Sequence, residues 1–198
     1  GNQNEIAIEH YQKALEIAIE QGYTQEETKT FLELGETYRS NNQYEFAIEH
    51  YQKALEIARE QGYTQEETKA YLGLGKAYGS DNQNEIAIKH YQKALEIARE
   101  QGYTQEETKA YLGLGKAYGS DNQNEIAIKH YQKALEIARE QGYTQEKTKA
   151  YLGLGKAYRF NNQNEIAIEH YQKALEIARA QGYTQEETQA YLGLGEAY

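Results

Sequence analysis

The fold is decided by residues 63–102, YTQEETKAYLGLGKAYGSDNQNEIAIKHYQKALEIAREQG, because residues 103–142 repeat this stretch without a single change. A glycine within the string Gln-Gly-Tyr-Thr-Gln also recurs every 40 residues along the chain, at Gly22, Gly62, Gly102, Gly142 and Gly182. Five such periods nearly fill the 198 residues. A fixed period of this length is typical of repeat proteins, in which each unit packs on its neighbours.

Each repeat is predicted to form two helices. In one of them the first helix begins at Thr104, where Glu107 follows three residues later in a capping-box arrangement. Tyrosine, leucine and glycine at helical spacing over residues 111–118 then form one packing face. The second helix begins near Asn124 and carries an alanine-rich stripe, and Gly142 fits the left-handed position after its end.

Composition excludes several classes of protein. Without cysteine the chain has neither disulfides nor thiolate metal sites, and it contains no signal peptide and no apolar run long enough to span a membrane. The net charge of -10 argues against binding to nucleic acid or to anionic membranes. These features predict a cytoplasmic, intracellular protein.

One motif in the repeat resembles a known family. Tyr71-x2-Leu74-Gly75-x2-Tyr78, followed by alanine, tyrosine and alanine, resembles the tetratricopeptide (TPR) pattern Trp-x2-Leu-Gly-x2-Tyr followed by Ala, Phe and Ala. The motif recurs in every repeat, so the resemblance covers the whole chain. It implies an all-α TPR solenoid, a right-handed superhelix of antiparallel helix pairs whose first helices line a concave groove. The 40-residue period also resembles the arrays of the Pins/LGN adaptors and of bacterial TPR regulators.

The pattern predicts a single TPR array over residues 1–198, with its five units out of phase. Helix pairs are expected at 24–61, 64–101, 104–141 and 144–181, between an unpaired second helix at 4–21 and an unpaired first helix at 184–198. These unpaired helices are complementary, because Gly1 placed after Tyr198 continues the period with only two residues missing. Either the chain is a fragment of a longer or engineered array, or copies stack head to tail.

No catalytic or metal-binding constellation is visible in the sequence. The histidines occur once per repeat at one helical position, too far apart to share a metal ion, and are therefore predicted to lie on the surface or to pack between repeats. Serine occurs only in turns, which excludes a Ser-His-acid triad. The Leu-Gly-Leu-Gly stretch is expected inside a helix and not in a dinucleotide loop. We therefore predict neither enzyme activity nor a cofactor.

Basic residues on the first helices form the candidate binding site. Lys69 and Lys76 are two helical turns apart and share one face, which the TPR resemblance places in the concave groove. With leucines at equivalent positions and two arginines, the predicted peptide-binding residues are Lys69, Leu72, Lys76, Lys109, Leu112, Lys116, Lys149, Leu152, Lys156, Arg39 and Arg159.

Two functions are consistent with this pattern. The first is an interaction scaffold that binds an acidic extended peptide or an acidic helix in the lysine-lined groove. The second is a structural spacer or self-assembling rod with no dedicated ligand, which the near-identity of the repeats favours. The expected partners are proteins or peptides, including further copies of the chain, and neither nucleic acid nor membrane.

Overall fold

The computed structural model describes residues 2–198, which form ten α-helices and no strand. The helices are α1 (Asn2–Gln21), α2 (Thr24–Ser40), α3 (Tyr44–Gln61), α4 (Thr64–Ser80), α5 (Asn84–Gln101), α6 (Thr104–Ser120), α7 (Asn124–Gln141), α8 (Thr144–Phe160), α9 (Asn164–Gln181) and α10 (Thr184–Ala197). Even-numbered helices are the first helices of the repeats and odd-numbered helices are the second helices. Over residues 2–198, no helix is both long and apolar enough to cross a bilayer.

The chain divides into two compact units, Gly1–Glu106 and Glu107–Tyr198. In the first unit, α1 to α4 each pack on the helix that follows, and α2 also contacts α4. In the second unit, α7 to α9 pack in the same way and α8 also contacts α10. Because only two or three residues join consecutive helices, neighbours run antiparallel. Within each unit, consecutive helices therefore pack as antiparallel pairs, for example α2 with α3 and α8 with α9.

The core of each unit includes small and branched side chains at equivalent repeat positions. The leucine of the Leu-Gly motif is 0–1% exposed at Leu34, Leu74, Leu114 and Leu154. On the second helices, alanines such as Ala47 and Ala54 have no exposed surface. Small side chains let the axes of the paired helices approach closely, so the backbone itself contributes to the packing.

The ends of the second helices match the sequence prediction. Gly142 has φ 74°, in the left-handed region, and the four equivalent glycines have φ between 70° and 72°. The next amide closes the helix end, as in Tyr63 N–H, which donates to the Ala58 carbonyl at 2.8 Å. Glycine is required there because a Cβ atom disfavours the left-handed conformation.

The starts of the first helices differ from the prediction. In α2, α4, α8 and α10 the N-cap residue is a tyrosine, and no side chain caps the helix. A capping box like the one predicted at Thr104 is therefore absent from these four equivalent helices. In the first unit, two of the threonine hydroxyls join neighbouring repeats instead: Thr24 Oγ1 and Tyr63 Oη share a hydrogen bond of 2.7 Å, and Thr64 Oγ1 and Tyr103 Oη share one of 2.8 Å.

Removing one of these inter-repeat hydrogen bonds is expected to lower stability. In Tyr63→Phe the ring stays and the hydroxyl is lost, which leaves Thr24 without this partner and costs about 1 kcal/mol of unfolding free energy. Tyr23→Phe is the matched control, since Tyr23 is the equivalent tyrosine and is 53% exposed. Urea unfolding of a dilute solution measures both. Equal stability of the two variants would show that the hydroxyl bond contributes nothing.

Candidate interaction surface

Four of the six lysines of the predicted site lie on helices of the second unit. Lys116, Lys149 and Lys156 are exposed, and Lys109 is half-buried. In the first unit, Lys69 and Lys76 of α4 are both exposed. Each pair is separated by seven residues of continuous helix, so its two ammonium groups project from one face. All of these lysines except Lys109 are therefore exposed on the surface of the first helices.

The leucines predicted to line the site are mostly core residues. Leu72 is 4% exposed and Leu152 is 8% exposed, whereas Leu112 is half-buried. A partner on this face could contact almost none of the surface of Leu72 or Leu152. The prediction that these two leucines contact a partner is therefore wrong. Both lie one residue before a glycine that packs against a tyrosine of the preceding second helix, which draws this side of the helix into the core.

The glycines of the Leu-Gly-Leu-Gly motif provide space for tyrosine rings. Tyr51 of α3 lies against Gly35 of its own repeat and Gly73 of the next, and Tyr171 of α9 lies in the same way against Gly155 and Gly193. A Cβ atom on Gly35 would lie 2.7 Å from Tyr51 Cε1. In α4 the two glycines of the motif each accommodate one ring, Gly73 that of Tyr51 and Gly75 that of Tyr91. The motif is helical, as predicted, and the tyrosines are core residues.

The two arginines predicted for the site are held in ion pairs. Arg39 contacts Glu36 through Nε at 3.2 Å and through Nη2 at 2.5 Å, and Tyr51 Oη donates to the same carboxylate at 2.9 Å. Burial opposes ionisation of Glu36, but the hydrogen bond and charge of Arg39, together with the charge of Lys76, outweigh it and lower the pKa. In the second unit, Arg159 pairs with Glu196 at 3.0 Å. These charges are already compensated within the chain.

An exposed aromatic ring in the second unit was not among the predicted site residues. Phe160 is 48% exposed, with the Arg159 guanidinium 4.5 Å and Lys156 Nζ 5.9 Å from the ring centroid. The other repeats have serine at this position, as in Ser120. The replacement of serine by phenylalanine in this one repeat is the feature of the sequence that could have indicated an additional contact residue. The structure adds that the ring lies beside a lysine of the candidate site.

Three of the histidines pack between two aromatic rings of their own repeat, and not between repeats as predicted. His170 of α9 lies 5.9 Å from the Tyr151 ring and 5.3 Å from the Tyr158 ring, the latter stacked at 7°. His90 and His130 make the same pair of contacts in their own units. Across residues 2–198, no cluster of histidine and acidic side chains is arranged to hold a metal ion. His90, His130 and His170 therefore pack against neighbouring tyrosine rings.

These features define an array of helix pairs whose first helices present an exposed face in each unit. The family model described as Tetratricopeptide repeat matches residues 2–60, 26–100, 66–140 and 106–180. The chain belongs to the tetratricopeptide repeat family. A comparison with curated protein sequences finds no match.

Solved structures with the same fold include bacterial proteins. BtubC from P. vanneervenii is 21% identical with a TM-score of 0.84, and the likeness covers 98% of this chain and 83% of BtubC. Aspartyl phosphate phosphatase F from Bacillus subtilis is 22% identical with a TM-score of 0.85, covering 98% of this chain and 52% of that protein.

A third solved structure is the Rap conjugation gene regulator of the plasmid pLS20 in complex with the Phr* peptide. It is 18% identical with a TM-score of 0.67, and the likeness covers 88% of this chain and 53% of the regulator. The chain thus spans about half the length of both the phosphatase and the regulator. At these identities the likeness shows the fold, a TPR solenoid of antiparallel helix pairs. The resemblance to the Pins/LGN adaptors is not confirmed.

Proposed function

We propose that the chain is a non-enzymatic scaffold for protein–protein interaction that binds an acidic extended peptide or an acidic helix on its first helices. The observation that carries this proposal is the set of exposed lysines at i and i+7 on α4 and α8, Lys69 with Lys76 and Lys149 with Lys156. A row of ammonium groups on one helical face attracts carboxylates that recur along a partner segment.

The charge of the whole chain makes these lysines distinctive. On a molecule with a net charge of -10, a basic face is the part toward which an acidic partner is steered. The contacts are exposed, so each contributes little alone and salt weakens it. Affinity therefore depends on several lysines acting together within a unit.

Phe160 supplies an apolar contact beside the lysines of α8. Its exposed ring offers area that a hydrophobic side chain of the partner can cover, while Lys156 next to it receives an acidic neighbour of that side chain. We therefore expect segments that combine acidic residues with one apolar or aromatic residue to bind the second unit best.

The solved structures support a peptide ligand in general terms. The Rap conjugation gene regulator shares the fold and was determined in complex with the Phr* peptide. That complex concerns a protein of 18% identity, so it supports the class of ligand and not its sequence. The acidity of the partner rests on the lysines of this chain.

Peptide selection tests the proposal directly. A displayed library of random peptides is selected against the immobilised chain at low and at physiological salt, in parallel with the variant Lys76→Glu, Lys116→Glu, Lys156→Glu. We expect acidic sequences to be enriched on the wild-type chain, less so at higher salt, and to be lost on the variant. Glutamate occurs naturally at the equivalent positions Glu36 and Glu196, so the array accommodates these substitutions.

The chain offers a matched control with the same change in net charge. Lys89→Glu, Lys129→Glu and Lys147→Glu lie outside the candidate face, and other repeats carry glutamate at each of these positions. Selection on this control is expected to match the wild type. Equal loss on both triple variants would mean that overall charge, and not the first-helix face, attracts the peptides.

The alternative function is structural: a spacer or a head-to-tail assembly without a dedicated ligand. The identity of residues 63–102 and 103–142 favours it, because successive repeats then present the same surface and distinguish little along a peptide. If no sequence is enriched on the wild-type chain at either salt concentration, the structural function replaces the scaffold.

A further inference from the structure

One position of the second helices carries an exposed apolar side chain in successive repeats. It is the third residue of α3, α5, α7 and α9: Phe46 is 51% exposed, and Ile86, Ile126 and Ile166 are 37–38% exposed. None of these residues lies on the first or the last helix, so their exposure is a property of the repeat. Isolated exposed isoleucines are common on protein surfaces, whereas Phe46 has aromatic neighbours.

Three aromatic side chains lie at the turn between α2 and α3. The ring of Phe46 stacks on that of Tyr38, with 5.4 Å between the ring centroids and an angle of 28° between the ring planes. Tyr44 lies two residues before Phe46, is half-buried, and donates a hydrogen bond from its hydroxyl to Asn42 Oδ1 at 2.9 Å. We refer to Tyr38, Tyr44 and Phe46 as the α2–α3 aromatic patch.

The fold does not require two of these rings. Where this repeat has Tyr44 and Phe46, the other four repeats have asparagine and isoleucine. The turn has the same conformation with either pair, because Asn42 and Asn82 both have φ 59° and equivalent backbone hydrogen bonds close both turns. In a chain whose repeats are nearly identical, these two aromatic residues therefore change the surface of the turn and leave its backbone unchanged.

The charges around the patch favour a cation as its ligand. Glu45, which lies between Tyr44 and Phe46 in sequence, is exposed. The two cations nearest to it in sequence are compensated within the chain, since Arg39 pairs with Glu36 and Lys53 pairs with Glu49 at 2.8 Å. The end of α2 and the start of α3 meet at this turn, so their helix dipoles offset each other. The carboxylate of Glu45 therefore determines the sign of the local charge.

The chain itself shows how a cation contacts such a ring. The Arg159 guanidinium lies 4.5 Å from the centroid of Phe160 and pairs with Glu196 at 3.0 Å. The Arg139 guanidinium lies 5.6 Å from the centroid of Tyr151. A planar guanidinium can stack on an aromatic face and pair with a carboxylate at the same time, whereas an ammonium group is a point charge without that geometry. An exposed ring beside a carboxylate therefore favours arginine.

We propose that the α2–α3 aromatic patch binds an arginine-containing segment of a partner protein. The guanidinium of that arginine stacks on the exposed face of Phe46 and pairs with Glu45, and Tyr44 adds a second ring beside the contact. This surface has the opposite preference from the lysines of the first helices, which attract acidic segments. The proposal does not depend on peptide binding by those lysines.

A double substitution removes the exposed rings and keeps the repeat. Tyr44→Asn, Phe46→Ile gives α3 the residues that the other four repeats have at these positions, so the variant is expected to fold. Peptides from a displayed random library are selected on the immobilised wild-type chain and on this variant. We expect arginine-containing peptides to be enriched on the wild type and to bind the variant more than about tenfold more weakly.

Two further variants separate the contribution of the charge from that of the rings. Glu45→Gln keeps both rings and is expected to weaken binding of the selected peptides by about two- to fivefold and to reduce its dependence on salt. Asn124→Tyr, Ile126→Phe places the same pair of rings around Glu125 in α7. Introduced into the chain that lacks the original rings, this pair is expected to restore binding of the same peptides. Helical content by circular dichroism checks that each variant is folded.

The outcomes separate this surface from the lysines of the first helices. Acidic peptides are expected to bind the wild type and Tyr44→Asn, Phe46→Ile equally, because the lysines are unchanged. Equal binding of the arginine peptides to both chains overturns the proposal, and so does a selection that enriches no arginine peptide. If the peptides that depend on the two rings lack arginine, the proposed ligand is wrong. A sedimentation mass above 22.7 kDa that is lost in the variant would show that a second copy occupies the patch, which also overturns the proposal.

Discussion

Gly73→Ala is expected to destabilise the chain, although the same substitution stabilises most helices. A Cβ atom at Gly73 would lie 2.6 Å from both Cδ1 and Cζ of Tyr51, inside the contact distance that real side chains allow. The ring is 3% exposed and its hydroxyl is bonded to Glu36, so it cannot turn aside without losing both burial and that bond. Overpacking of this kind costs about 1–3 kcal/mol.

Gly195→Ala is the matched control and is expected to have the opposite sign. It lies in the same motif in a helix, but its Cβ would meet nothing within 4 Å. Replacing glycine by alanine in a helix is worth about 1 kcal/mol when nothing is crowded. Urea unfolding of both variants in dilute solution measures the difference. If both substitutions raise stability, the close packing of Tyr51 between Gly35 and Gly73 is incorrect.

The chain is expected to lose thermal stability as the pH falls from about 7.5 to about 5.5. Burial between tyrosine rings lowers the pKa of His90, His130 and His170 below the ordinary value of 6.5. The unfolded chain therefore takes up protons first as the pH falls through 6.5. The folded chain keeps the full stability that goes with neutral histidines above pH 6.5. It loses this stability as the pH falls from 6.5 to the lower pKa of the histidines in the folded chain.

Three equivalent sites act together in this pH response. Each decrease of about 1 kcal/mol in the free energy of unfolding, summed over the three sites, lowers the midpoint temperature of unfolding by roughly 2–4 °C in a chain of this size. His170 also faces Lys173 and Arg139, whose charges lower its pKa further, and Glu169, which opposes them. Measurements stay above about pH 5 so that Glu36, whose pKa lies below 4.5 in the folded chain, keeps its charge.

The variant His90→Phe, His130→Phe, His170→Phe isolates the histidines. Phenylalanine keeps a ring between the tyrosines and carries no titrating proton, so the midpoint should change much less with pH. Thermal unfolding followed by circular dichroism at several pH values compares the variant with the wild type. An unchanged pH dependence in the variant would assign the effect to other groups.

The candidate site was only partly predictable from the sequence. Spacing alone placed Lys69 with Lys76, and Lys149 with Lys156, on one helical face, because helical periodicity is local. Whether a side chain beside these lysines is accessible depends on which residues of other helices pack on it. The prediction that Leu72 is accessible was wrong for this reason. Leu72 follows the same helical pattern as the lysines, yet the close approach of Tyr51 to Gly73 buries this side of α4.

Charge pairing also depended on tertiary structure. In sequence, Arg39 and Arg159 are two further basic residues beside the lysines. In the structure, Arg39 pairs within its own helix with Glu36, and Arg159 pairs with Glu196 from the next first helix. The second pair joins residues 37 positions apart and follows from the stacking of α8 on α10, which no local pattern contains.

The sequence by itself determined the repeat, the helices and most of their ends. A 40-residue period, apolar residues at helical spacing and Gly142 with its equivalents are local features, and each was confirmed. Tertiary structure decided that Thr24 and Thr64 each bond a tyrosine of the next repeat and do not cap their own helices. It also decided which glycines hold a ring, because the space beside Gly73 is filled by Tyr51 and the space beside Gly195 is open. These differences depend on which helix packs against each glycine, and that is determined only when the repeats stack on one another.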